Sequence, residues 1–239
     1  MKLNYESICD RAMVADPGVM REWHKGRSSY CVWMYRFTDQ KLLSFTEAIH
    51  ERLAKVGCVI PVKNLHMTIF VAGFKTREIF YNDDVLFSTL DEQLARLSAT
   101  RFSCPEVVVT GLKVARSAIL LECRDLTKNT TRVRDVLGAD CAEIRFSPFY
   151  PHITLGHFQE PVMLGEVVSA LDPWITLQTP ITINQHALEL VEIEATRPVN
   201  AMIGLCADDF SRVHVHRFAE RVESSPRDSR VTKVGSFAY

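Results

Sequence analysis

The 239-residue sequence has no stretch approaching the roughly 20 apolar residues that a membrane-spanning helix needs. Its first residues, MKLNYESICDRAMVADPG, interleave acids with short apolar runs, which excludes the apolar core of a secretion signal. Cys-x-x-Cys pairs are missing too. Seven cysteines lie scattered at 9, 31, 58, 104, 123, 141 and 206, and an odd number without paired spacing argues against a closed disulfide framework. They read as reduced thiols, and the expected location is the cytoplasm. Excess charge is also absent. Lys and Arg number 28 against 29 Asp and Glu, a formal net charge of -1, so no global field draws the chain to long nucleic acid or an anionic membrane. A nucleotide ligand would have to be held by a local pocket. What is present is ordinary globular material, 47% hydrophobic and 24% charged, enough for one large domain or two closely packed lobes without disulfide support.

Hydrophobic periodicity predicts alternating strands and helices. Residues 30–37 (YCVWMYRF) are aromatic and β-branched and read as a strand. Leu42, Phe45, Ile49, Leu53 and Val56 follow at helical spacing. Residues 65–74 (LHMTIFVAGF) predict a second strand, and Leu86, Leu90, Leu94 and Leu97 a helix started near Asn82-Asp83-Asp84. Residues 106–114 and 118–123 predict strands flanking a break at Arg116-Ser117. A helix over 126–137, a strand over 151–158 (PHITLGHF) and a helix on Leu164, Val167, Val168 and Leu171, with Pro161 in its first turn, come next. Residues 187–195 and 201–206 are the last strands expected.

The order repeats. Each half runs strand, helix, strand carrying His-x-Thr, helix, strand, with nearly equal spacing from the first strand to its histidine. Element order alone does not distinguish a duplication from ordinary α/β alternation; the matched placement of chemical residues does. The expected organisation is an N-terminal extension (1–28), a body (29–206) of two intertwined lobes (about 29–114 and 115–206) and a C-terminal extension (207–239) whose polar end reads as mobile.

The units are His66-Met67-Thr68 and His152-Ile153-Thr154. With 8 histidines, and Ser or Thr at roughly one position in eight, about one His-x-Ser/Thr arises by chance. Context gives the pair its weight. Strand periodicity is two, so each His and Thr point to one face, about 7 Å apart, while Met67 and Ile153 point to the other.

The strings LHMTIFVAGF and FYPHITLGHF resemble the paired signatures of the two-histidine (2H) phosphoesterase superfamily, which includes bacterial RNA 2′,5′-ligase-like proteins and cyclic phosphodiesterases. The resemblance covers about residues 29–206, with the two motif strands its specific part. It implies an α+β fold, a bilobed pseudo-twofold duplication with antiparallel sheets lining a central cleft and helices outside. Members commonly follow the first motif with a hydrophobic run to a glycine, as Ile69 to Gly73 does, and place proline before the second histidine, as Pro151 does.

Phosphodiester hydrolysis needs a base for the attacking water, an acid for the leaving oxygen and donors for the non-bridging oxygens. His66 and His152 suit the first two roles because an imidazole titrates near neutral pH. Thr68 and Thr154 suit the third. Which histidine is the base stays open in the sequence. The scheme needs no metal or cofactor, and no carboxylate cluster stands near either motif.

Among other residues, Tyr150 is placed to stack on a base, whereas Phe149 is expected in the core. Of the cations Lys63, Lys75, Lys113, Arg116 and Arg145, the two near the lobe crossover, Lys113 and Arg116, are the ones expected to reach a phosphate. Trp33 and Tyr35 suit either core or cleft wall. His157, an odd five residues after His152, is expected on the opposite face in a structural role. His214 and His216, with Asp208 and Asp209 nearby, lack partners at metal-ligand spacing and read as solvent-exposed. His24 precedes the first strand beside Lys25 and Arg27, His50 is expected on a polar helix face, and His186 precedes a strand.

Three function classes follow. The first is a metal-independent phosphodiesterase acting on a small nucleotide or short RNA end, with a 2′,3′-cyclic phosphate or 2′,5′ linkage ahead of a cyclic di- or oligonucleotide. The alternative is a non-catalytic nucleotide-binding module using the same cleft, disfavoured because binding alone needs no paired proton carriers. A metal-dependent hydrolase on His214 and His216 ranks last. No membrane partner is expected, and a monomer is the default.

Overall fold

The computed structural model describes residues 11–14, 17–56, 59–62, 64–144, 148–184, 187–195 and 211–217. The elements run α1 (Pro17–His24), β1 (Ser29–Arg36), α2 (Gln40–Val56), β2 (Val59–Pro61), β3 (His66–Thr76), β4 (Asp84–Leu86), α3 (Phe87–Ala99), β5 (Glu106–Val114), β6 (Ala118–Asp125), α4 (Asn129–Leu137), β7 (His152–Phe158), α5 (Leu164–Ile175), β8 (Thr176–Asn184), β9 (Ala187–Glu194) and β10 (Ser211–Arg217). Helical spacing places Leu42, Ile49 and Leu53 on the buried stripe of α2, whose first turn is capped by the Asp39 carboxylate accepting the Lys41 and Leu42 N–H groups. Helix α3 starts later than the Asn82-Asp83-Asp84 cluster suggests, because residues 84–86 pair with β3 instead. Likewise α5 starts at Leu164, three residues beyond Pro161.

Two five-stranded sheets result, ordered β10-β9-β1-β3-β4 and β2-β7-β6-β5-β8. Among the described residues every strand pairing is antiparallel except β3–β4, which is parallel. The duplication is visible in them: β3 lies beside β1 as β7 lies beside β6, and β9 flanks β1 as β5 flanks β6. The lobes exchange strands, since β2 and β5 from the first half join the second sheet and β9 returns to the first. Helices α3 and α4 pack together behind the first sheet, α2 and α5 together behind the second, and the sheets meet along β3 and β7. Strand β10 lies beyond residue 206 and completes the edge of the first sheet beside β9. The expected strand at 201–206 lies outside the described residues. No helix among the described residues is long and apolar enough to cross a membrane.

The core lies between each sheet and its helices. Trp33 and Tyr35, which suited either core or cleft, are fully buried there: the Trp33 indole N–H donates to Gln93 Oε1 at 2.8 Å, and the Tyr35 hydroxyl lies 3.4 Å from Thr130 Oγ1. Gly73 and Gly156 sit where no side chain fits. Gly73 has φ +117°, and a Cβ there would stand 2.5 Å from the Asp83 carbonyl oxygen. At Gly156 a Cβ would stand 2.4 Å from Val59 Cγ1, so the short β2 can pair with β7 only because this residue has no side chain.

Candidate active site

Cross-strand register places the motif residues opposite specific neighbours. On the first sheet, His66 pairs with Arg36 and Thr68 with Met34, while Met34 also faces Glu189 on β9. On the second, His152 pairs with Glu122 and Thr154 with Leu120, while Leu120 also faces Lys113 on β5. Directly opposed residues share a face. Each cleft wall therefore carries His, Thr, an apolar residue and two charges in matching positions. Both motif strands alternate half-buried His and Thr with buried Met67, Ile69, Ile153 and Leu155.

The two imidazoles are held alike. His66 Nδ1–H donates to the carbonyl of Asn64 at 2.8 Å, and His152 Nδ1–H to the carbonyl of Tyr150 at 2.7 Å, in each case two residues upstream. A carbonyl only accepts, so Nδ1 carries a proton in both rings, and in a neutral ring Nε2 is the basic nitrogen. Burial first, then the positive charges of Arg36, His152 and His157, push the His66 imidazole below its ordinary value, against an upward pull from the Asn64 carbonyl. The charge of His152 acts on His66 across the β3–β7 contact.

His66 thus titrates lower in the folded chain than in the unfolded one, where its value is about 6.5. Below that pH the unfolded chain binds a proton that the folded chain does not. Stability from this group is complete above about pH 6.5 and is lost as pH falls towards the depressed folded value. His157, also lowered by burial, adds with the same sign. The melting temperature should therefore decline below about pH 6.5, and His66→Gln should flatten that decline in melting curves recorded from pH 5 to 8.

His157 corrects the sequence reading. A bulge at Leu155, where the β6 register steps from Leu120↔Thr154 to Ile119↔Gly156, reverses the alternation, so Phe158 enters the core and His157 joins the face of His152 and Thr154. Its ring bonds the Ser117 backbone, and its charge is felt at His66. His50, expected on a polar face, supports this bulge: its Nε2–H donates to the Leu155 carbonyl at 2.8 Å, which also accepts the Val62 N–H at 2.7 Å.

Tyr150 stacks beside His152, with ring centroids 5.8 Å apart, and its hydroxyl donates to Glu122 Oε1. Lys113 Nζ lies 5.1 Å above the Tyr150 ring. Arg116 is exposed on the β5–β6 turn, at the His157 end of the sheet. Phe149 is half-buried beneath the Arg134 guanidinium, whose Cζ lies 4.0 Å from the ring centroid. Lys75 pairs with Glu192. Lys63, Arg145 and His186 lie outside the described residues, as do the side chains of His214 and His216 on β10. His24 closes α1, its Nδ1 accepting the Gly26 N–H at 2.9 Å.

Sequence reasoning missed Arg36, Glu189 and Glu122. Arg36 Nε lies 3.0 Å from Glu189 Oε2, with both side chains about nine-tenths covered. The Glu122 carboxylate stands over Gly111, where a Cβ would be 3.7 Å from Oε2. Burial pushes the thiols of Cys31 and Cys123 up to about 12, so neither offers a thiolate near neutral pH.

No protein-family profile matches the sequence, and no curated protein matches it at significant similarity. Solved structures do match in fold. E. coli LigT in its apo form is 14% identical, with 81% of this chain and 99% of that chain covered and a TM-score of 0.53. E. coli LigT complexed with 3′-AMP is 15% identical, covering 80% and 98%, with a TM-score of 0.52. TT0787 of Thermus thermophilus is 14% identical, covering 79% and 97%, with a TM-score of 0.50. The chain shares the fold of these structures.

Proposed function

We propose that the chain is a metal-independent phosphodiesterase hydrolysing a nucleotide or RNA phosphodiester, with a 2′,3′-cyclic phosphate or 2′,5′ linkage as its target ahead of a cyclic di- or oligonucleotide. One observation carries the reading: two imidazoles in one cleft, each with Nδ1–H anchored to a main-chain carbonyl and each followed on the same face by a threonine. A binding pocket needs no such pair of oriented proton carriers, whereas in-line displacement at phosphorus needs one on each side. The phosphate sits between the two walls. Thr68 and Thr154 donate to its non-bridging oxygens, one histidine accepts the proton of the attacking water, and the other protonates the leaving ribose oxygen. Tyr150, exposed at the rim, offers a face for a base, and Lys113 adds positive charge beside it. Support for a small nucleotide comes from the shared fold with LigT, which binds 3′-AMP, and from the near-zero net charge of this chain.

The test is turnover of 2′,3′-cyclic nucleotides, 2′,5′- and 3′,5′-dinucleotides and cyclic dinucleotides in EDTA. A bell-shaped pH profile unaffected by chelator is expected. Loss of activity in EDTA restored by a divalent ion would overturn the mechanism; nucleotide binding without turnover of any diester would make the chain a binding module.

A further inference from the structure

At equivalent positions the two cleft walls carry charges of opposite sign. Opposite His66 stands Arg36, and opposite His152, at the equivalent position, stands Glu122. One step along, the signs invert again: Glu189 faces the Met34–Thr68 row and Lys113 the Leu120–Thr154 row. Direct cross-strand neighbours have Cβ atoms about 5 Å apart and diagonal ones about 7–8 Å, so the nearer charge has the greater effect on each ring.

We propose that this inverted pair divides the proton roles of the site, Arg36 holding His66 neutral as the general base and Glu122 holding His152 protonated as the general acid. The inference rests on the phosphodiesterase reading above. His66 faces Arg36 on β1, backed by Glu189 on β9, with His152 and His157 across on β7; apart from Glu189 all of these oppose a proton on His66. His152 faces Glu122 on β6, tied in place by the Tyr150 hydroxyl, with Lys113 above the Tyr150 ring, His157 farther along the same face of β7 and His66 across on β3; the carboxylate is the direct cross-strand neighbour. A carboxylate beside an imidazole favours the imidazolium, and a guanidinium disfavours it. In the resulting step His66 Nε2 takes a proton from water as the water oxygen bonds to phosphorus. The phosphorus–ribose oxygen bond breaks, and His152 Nε2 passes its proton to that oxygen. The two histidines then return to their starting states by exchange with solvent. Arg36 and Glu122 act through the histidines and are positioning residues.

Leaving-group chemistry assigns the roles. A 2′,3′-cyclic nucleotide expels a ribose alkoxide that needs a proton; a nucleoside p-nitrophenyl phosphodiester expels nitrophenolate, which does not. His152→Ala should lose about 10²–10⁴-fold on the first substrate, the range of general acid catalysis, and under about tenfold on the second. His66→Ala should lose heavily on both. The reverse pattern, or equal losses for both variants on both substrates, overturns the assignment. The positioning claim is read from pH profiles of kcat. Glu122→Gln should move the alkaline limb down, and Arg36→Gln should move the acid limb up; unmoved limbs overturn that part. Because Arg36→Gln removes the cation beside the Glu189 carboxylate, Arg36→Gln/Glu189→Gln is measured alongside it. Wild-type chain that turns over neither substrate would instead refute the phosphodiesterase reading itself.

Discussion

His66→Ala and His152→Ala are each expected to lower kcat on a cyclic nucleotide by at least about 10²-fold while leaving the melting temperature within a few degrees of wild type. The magnitude is that of a positioned general acid or base. The fold should tolerate the change because both rings are half-buried on the cleft face, and each anchoring bond is to a carbonyl that water can satisfy once the ring is gone. The double variant should lose much less than the product of the single losses, since base and acid serve one displacement and removing either already disables it. The measurement is single-turnover kinetics for the three variants beside thermal melts. Turnover unchanged in both single variants would move the chemistry away from this cleft. Multiplicative losses would mean that the histidines act in separate steps.

The second large effect concerns Arg134, which lies far from either motif in sequence. From α4 its guanidinium donates to the Ile69 carbonyl on β3 and to Glu143 Oε2 at 2.6 Å, and it covers the Phe149 ring. Glu143 in turn accepts the Val71 N–H at 3.1 Å, and the Ile144 N–H donates to the Val71 carbonyl at 3.0 Å. These bonds fasten Glu143 and Ile144 against β3, and the same guanidinium holds Phe149 three residues before His152, so the cluster bears on how the two histidine strands sit. Both side chains of the ion pair are largely covered, and Arg134→Met would leave the Glu143 carboxylate without its cation. The expected cost is about 2–3 kcal/mol, the range of a charged hydrogen bond in a mostly buried pair, or a fall of about 4–12 °C in melting temperature for a chain of this size. A drop in kcat/KM of about tenfold should accompany it, because small displacements of catalytic groups are costly. Wild-type melting and kinetics in this variant would show that the two strands are aligned by other means.

The motif strands were legible because a period of two aims His and Thr together whatever the tertiary context, and the duplication repeats that signal. Cross-strand partners carry no such local mark. Arg36 is the seventh residue of an otherwise apolar run and reads as the edge of a strand; only the register with β3 puts it opposite His66. Glu122 is hidden in the same way within AILLECRD. His157 was misplaced because parity counting assumes an unbroken ladder, and the Leu155 bulge adds one residue to it. Strands β2 and β4, three residues each, are too short to show a period. Strand β8 was missed although Leu177, Thr179, Ile181 and Ile183 alternate through it, because Pro180 reads as a break.

The carbonyl anchors have a consequence for how such a site can vary. A ring oriented by a side-chain carboxylate loses its aim when that carboxylate is substituted. Here the aiming groups are main-chain oxygens, which every residue type supplies. Asn64 is buried and Tyr150 lies open at the rim, and in both cases the side chain does not take part in the bond. Substitution at position 150 therefore keeps the main-chain anchor of His152 while releasing the Glu122 carboxylate from the Tyr150 hydroxyl, so ring aim and ring charge can vary separately.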